Sequence, residues 1–241
     1  MDLFGNFLHT SCHQFGFKTG SGTADALFTF KRTVDYFVER SSNVFTCFVD
    51  SSKAFDRVVH HGLYLKLMKR GIPLSFLLIL MSWYDNLMCK VRWCNAFSSP
   101  YRILAGVKQG GIMSPPLYNV YVDDLILEIK KRGVGCTVGK LFAGILIHAD
   151  DIALLSPSMA ALQAMLDICT KYGLEWDICF NASKTKALVI GPGFKMEPFD
   201  LSLSSSKVEW TSKVKYLGLL IESFKKFRCS GAKNVGKFYG A

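Results

Sequence analysis

The stretch LFAGILIHADDIALL, residues 141–155, consists of two apolar runs joined by a short polar bridge. Runs this short and this apolar predict buried strands, and His148-Ala149-Asp150-Asp151 then reads as the tip of a buried hairpin bearing two carboxylates. A second run of the same kind, VFTCFVD at 44–50, also delivers an acid at its end, Asp50. Buried apolar strands rarely end in unpaired carboxylates, because desolvating an unpaired charge is costly. Two such strands, far apart in sequence, therefore point to a shared site.

Clustered carboxylates repel one another and raise each other's pKa unless cations neutralise them, and hard oxygen ligands suit Mg2+. Two divalent ions roughly 3.5–4 Å apart can activate an attacking 3′-hydroxyl and stabilise a leaving pyrophosphate. Read singly, each acid has a plainer explanation. Asp50 would cap the turn after its strand, and Asp150 with Asp151 would be ordinary turn residues.

The segments around these strands predict a mixed fold. Residues 23–40 carry Leu27, Phe30, Val34, Phe37 and Val38 at helical spacing behind a polar start. Residues 61–70 and 73–86 predict two helices separated by Gly71, and 87–93 with 100–104 a hairpin. The glycine-rich turn at 106–111 precedes Ser114-Pro115, which opens a long helix stopping at Gly133. Residues 157–172 predict another helix ended by Gly173, followed by strands at 185–190, 199–203 and 214–221. The apolar run 74–83 is about half the roughly 20 residues a membrane span needs, and predicts a buried helix instead.

Composition bounds the function classes. The chain has 241 residues, half of them hydrophobic, enough for one sizeable core. Its net charge of +10 favours a polyanionic partner. Eight Lys and Arg fall between Lys207 and Lys237 against two glutamates, so a basic tail is expected over 223–241, with no assignable domain. The eight cysteines form no CxxC pair, and the histidines complete no zinc spacing with them; several, such as Cys47 and Cys169, sit among apolar residues, which predicts buried thiols of a reducing compartment. No secretory signal opens the sequence, so an intracellular setting without membrane anchorage is expected.

Tyr121-Val122-Asp123-Asp124 forms a second acidic pair. It lies within the helix launched by Ser114-Pro115, whose apolar face is formed by Leu117, Val120, Tyr121, Leu125 and Leu127. Both aspartates fall off that face and are expected as surface or helix-supporting acids pointing away from the cluster.

Six blocks in order across residues 14–221 then carry a resemblance: QFGFK at 14–18, FVDSSKAFDRV at 48–58, GVKQGGIMSPPLYNVYVDDL at 106–125, HADDIALLS at 148–156, NASKTKALVIG at 181–191 and KYLGLLI at 215–221. Together they resemble the reverse transcriptases of non-LTR, LINE-type retrotransposons. The resemblance implies an α/β (α+β) polymerase palm, an antiparallel sheet backed by the helices at 23–40, 114–132 and 158–172, with partial fingers and the thumb largely missing. It implies RNA-directed DNA polymerase activity using two Mg2+ ions, or Mn2+, on deoxynucleotides and a primed RNA or DNA template.

On the matching positions, Asp50 and Asp150 become the principal metal ligands and Asp151 a weaker supporting carboxylate, while Asp56 is not an expected ligand. Phe55 would stand against the sugar of the incoming nucleotide and exclude a 2′-hydroxyl; an ordinary core phenylalanine is the alternative. Gln109 would lie over nucleotide and template, with Gly110 and Gly111 admitting close backbone approach; a plain flexible turn is the alternative. Lys184 would face the triphosphate as a proton donor, with Lys186 as the fallback. His148 departs from the family's usual Tyr or Phe at the primer-facing position. Residues 1–222 are expected to be a fingers-palm core belonging to a longer protein. A catalytically silent nucleic-acid-binding remnant and an acidic metal-site hydrolase are the other readings.

Overall fold

The computed structural model describes residues 7–230; the first six residues and 231–241, with Lys233 and Lys237 of the basic tail, lie outside that set. In chain order the elements are α1 (Thr23–Val38), β1 (Val44–Asp50), α2 (His60–Lys69), α3 (Leu74–Asp85), β2 (Met88–Cys89), β3 (Arg92–Trp93), β4 (Ala96–Phe97), β5 (Tyr101–Arg102), α4 (Ser114–Arg132) and β6 (Thr137–Val138). They continue with β7 (Leu141–Phe142), β8 (Ile145–His148), β9 (Asp151–Ser156), α5 (Met159–Trp176), β10 (Lys186–Ile190), β11 (Leu201–Leu203), β12 (Ser206–Trp210), β13 (Lys213–Tyr216), β14 (Leu219–Glu222) and β15 (Arg228–Ser230).

A six-stranded sheet, ordered β11-β12-β10-β1-β9-β8, forms the centre, antiparallel except where β10 meets β12. Side-chain alternation sends Phe45, Cys47 and Val49 of β1 into a core with α2, α3, α4 and α5, and Val44 with Phe48 into a second core with α1, β13 and β14. The sheet is therefore backed by the three expected helices, α1 on one face and α4 with α5 on the other. Phe30 of α1 anchors the second core, fully buried between Phe48 and Tyr216 at ring separations of 5.7 and 6.0 Å. Burying such a ring stabilises by about 1.5–3 kcal/mol.

Local chemistry sets the helix ends. The Gly22 amide opening α1 donates to the Asp25 carboxylate at 2.9 Å, Pro115 takes the second position of α4 after Ser114, and α4 stops where Gly133 adopts φ 70°. Four expectations give way. Gly173 does not end α5, which continues to Trp176 and stops at Asp177 in the left-handed region. A Cβ on Gly173 would lie 2.6 Å from the Ile178 carbonyl oxygen, so the glycine admits the chain folding back across the helix. The run 141–147 breaks at Ala143-Gly144, because β7 pairs with β6 while β8 pairs with β9.

The expected strand at 214–221 is a hairpin, β13 and β14, turning at Leu217-Gly218, and Arg228–Ser230 adds β15 to it. The basic tail thus begins inside the fold. Helix α3 is only half buried: Leu77, Leu80 and Tyr84 face the core, whereas Leu74, Leu78, Ile79 and Trp83 are exposed. Among the described residues no helix is long and apolar enough to cross a membrane.

Candidate active site at the edge of the central sheet

Strand β1 ends where the β8-β9 hairpin turns, and their register pairs Asp50 with Asp151 and His148 with Asp151. Alternation puts Asp50, His148 and Asp151 on the sheet face shared with α1. Asp150 sits in the two-residue turn beside Ala149, which adopts φ 59°. The Asp151 carboxyl is raised above the usual carboxylate range, by burial first, then by the charges of Asp150 and Asp50, with His148 opposing. Asp151 therefore lies within the field of both Asp150 and Asp50 at one sheet edge.

The position of Asp50 is fixed by its neighbours. Its amide donates to Thr185 Oγ1 at 3.2 Å, its carbonyl accepts the Asn181 amide at 2.9 Å, and its Oδ2 accepts from Ser52 Oγ at 3.3 Å. Asn181 Oδ1 accepts the amides of Ser183 and Lys184, folding a tight turn that brings Lys184 Nζ to 4.0 Å from Asp50 Oδ2. Lys186 is committed elsewhere, to Glu209 at 2.7 Å. Asn181, Thr185 and Ser52 carry no role in the sequence analysis; their signal is membership of the blocks at 48–58 and 181–191.

Phe55 is half-buried and stacks on the buried ring of Tyr118 at 4.8 Å and 17°, with Phe17 edge-on at 6.0 Å. The Tyr118 hydroxyl is pushed up chiefly by burial, with the charge of Asp150 adding. The Phe55 carbonyl accepts the Val107 amide at 2.8 Å, which ties the aromatic stack to the glycine-rich turn. In that turn Gln109 and Gly110 are exposed, Gly110 has φ 78°, and Ser114 Oγ closes the turn on the Lys108 carbonyl at 2.6 Å. A cavity of about 350 Å3 opens beside it, lined by Asp56, Gly106, Lys108 and Gln109 among others. Asp56 is exposed and apart from the carboxylate register.

The second acidic pair is structural, and one half of it is buried. Asp123 is 5 % exposed, accepts the Ser11 amide at 2.7 Å and pairs with Arg70 at 2.7 Å. Asp124 pairs at 2.6 Å with the buried Lys66, which also donates to the Tyr172 hydroxyl at 2.9 Å and lies 3.7 Å from the Trp176 ring centroid. Helix α4 packs against α2 and α5, so the face expected to be polar is covered by Lys66 and Arg70, while Leu127 of the expected apolar face is exposed.

Among the described residues no three His, Cys, Asp or Glu side chains are closed into a ready cation shell. The donor chemistry nevertheless fits Mg2+, which binds through one or two carboxylates completed by phosphate oxygens and water.

Comparison with known proteins matches this architecture. The family described as Reverse transcriptase (RNA-dependent DNA polymerase) matches residues 6–221. The chain is 30% identical over 221 residues to the RNA-directed DNA polymerase from mobile element jockey of Drosophila funebris, covering 89% of this chain and 24% of that protein. It is 28% identical over 219 residues to the probable RNA-directed DNA polymerase from transposon X-element of Drosophila melanogaster, covering 87% and 23%. The chain thus spans about a quarter of the length of these relatives.

Among solved structures, telomerase from Candida albicans in complex with a fragment of telomeric RNA superposes with a TM-score of 0.64 at 12% identity, covering 90% of this chain and 35% of that one. Apo telomerase from Candida tropicalis truncated from its C-terminal domain gives 0.61 at 15% identity, covering 87% and 39%. Those likenesses show the palm-like fold. The family match and the mobile-element relatives show the lineage: this chain belongs to the reverse transcriptase (RNA-dependent DNA polymerase) family, as a domain of the non-LTR, LINE type.

Proposed function

We propose that this chain is the fingers-palm core of a longer RNA-directed DNA polymerase, with residues 1–222 as the core, extending deoxynucleotides onto a primer annealed to an RNA or DNA template. The observation that carries the reading is the placement of Asp50, Asp150 and Asp151 at one sheet edge, where burial first, and then the charges of Asp150 and Asp50, raise Asp151. Divalent ions bound there would supply the charge that activates the 3′-hydroxyl and steadies the departing pyrophosphate.

The chain's own residues do the rest. Asp50 and Asp150 would hold the ions, with Asp151 as a supporting carboxylate. Lys184, held beside Asp50 by the Asn181 turn, faces the phosphates and can hand a proton to the leaving group. Phe55, steadied by Tyr118, lies under the sugar, and Gln109 with Gly110 covers the base pair from the exposed turn. His148, paired with Asp151 in register, faces the primer end. The buried thiols Cys47, Cys136 and Cys169 support a reducing, intracellular setting.

The test is Mg2+- or Mn2+-dependent extension of a DNA primer on an RNA template by the purified chain. Extension abolished by Asp50→Asn supports the reading. Nucleic-acid binding without extension under either metal would instead assign a silent binding remnant.

A further inference from the structure

We infer that Gly16 is a positioning residue whose bare backbone seats the turn carrying Asp150. This rests on the reading of Asp150 as a metal ligand. A Cβ built on Gly16 would lie 2.3 Å from the Ala149 nitrogen and 3.0 Å from the His148 carbonyl carbon, both backbone atoms of the hairpin tip. Gly16 needs no left-handed backbone, since its φ lies outside that region. The glycine is there for space.

The segment bearing Gly16 cannot retreat from the turn. It runs parallel to β8 as an extra edge, with the Phe15 amide donating to the Ile147 carbonyl at 2.7 Å and the Ile147 amide to the His13 carbonyl at 2.8 Å. Asn119 Nδ2 of α4 holds the Gly16 carbonyl at 2.9 Å, and Gln14 Oε1 accepts its amide at 3.0 Å. On either side, Lys18 Nζ grips the Thr10 and Ser11 carbonyls at 3.0 and 2.7 Å, and His13 Nε2 meets the Phe142 carbonyl at 2.7 Å. A side chain at position 16 therefore displaces the less anchored partner, the Ala149-Asp150 turn. The next residue, Phe17, touches Phe55, so the same segment braces the second part of the site.

The experiment compares the parent chain, Gly16→Ala and Gly22→Ala, the last placed where a Cβ meets open space. Two quantities are read: amide hydrogen exchange across the structure, and Mn2+ affinity with Asp50→Asn as the site control. In Gly16→Ala, exchange at 147–151 rises while α5 keeps its protection, and Mn2+ affinity falls by about tenfold or more, as for residues that orient ligands through contact. Gly22→Ala behaves as the parent.

Unchanged exchange at 147–151, or a rise spread evenly over the chain, overturns the inference. A parent chain with no Asp50-dependent Mn2+ binding sinks the proposed function instead, and the exchange pattern alone then decides whether the turn is seated on Gly16.

Discussion

Asp50 and Asp151 are direct cross-strand partners at the last register position of β1 and β9. Like charges opposed on an antiparallel pair destabilise it by roughly 0.2–1 kcal/mol. Replacing Asp151 with Asn is therefore expected to raise the thermal midpoint of the metal-free chain, by at most about 2–4 °C for a protein this size. Calorimetry with and without Mg2+ checks it: the parent gains stability from the ion and the variant gains less. A lower metal-free midpoint in Asp151→Asn would mean the carboxylates do not strain the edge.

Asp124→Ala should behave oppositely, because it strands the buried Lys66 charge. Removing one partner of a buried pair costs about 3–5 kcal/mol, and the lower end applies since Asp124 is partly exposed. Lys66→Met, which removes the buried charge while keeping its length, should be near neutral or stabilising. Denaturant midpoints of the two variants decide the matter, and a harmless Asp124→Ala would remove Asp124 from its structural role.

Phe55→Val is expected to relax selection against ribonucleotides while leaving divalent binding intact. The ring is half-buried on Tyr118, so truncation costs less than the roughly 3–5 kcal/mol of a fully buried phenylalanine. Steady-state incorporation of dNTP and rNTP is the measurement. Equal losses for both would make Phe55 a packing residue.

Of the two lysines at the start of β10, Lys184, just before it, stands 4.0 Å from Asp50, and Lys186, its first residue, is paired with Glu209. Lys184→Ala should slow single-turnover extension by about 10²–10⁴-fold, the range for a lost general acid. Lys186→Ala should change it little. The reverse order would restore Lys186 as the functional lysine.

Alkaline pH should unfold the chain through its buried thiols. Burial pushes Cys169 up to about 12 from 9.0, with Cys47 and Cys136 raised in the same direction. A raised folded-state pKa contributes stability fully present below the unfolded value and lost as pH rises through the folded one, so the loss runs from pH 9 toward 12. Each fully coupled thiol costs roughly 1.4 kcal/mol per pH unit in that window. Denaturation midpoints at rising pH should fall, and less steeply in Cys169→Ala; identical slopes would exclude Cys169.

Elements whose signals are local could be read from the residues alone. The apolar runs ending in Asp50 and Asp150, Ser114-Pro115 opening α4 and Gly133 closing it were legible because strand period, prolyl geometry and the left-handed preference of glycine act within a few residues. The meeting of 44–50 with 141–155 was also expected, from the cost of burying unpaired acids.

Features that depend on distant neighbours emerge only once the chain is folded. Asp123 is buried because Arg70 and Ser11, far away in the chain, supply its partners. Gly144 splits an apolar run because its backbone packs against Gly135, where a Cβ would lie 2.9 Å from the Cα. Gly16 gains its meaning only from Ala149, more than a hundred residues later. Local preference is set by a residue's own backbone and side chain; burial, charge pairing and close approach are set by whichever segment the fold brings against it.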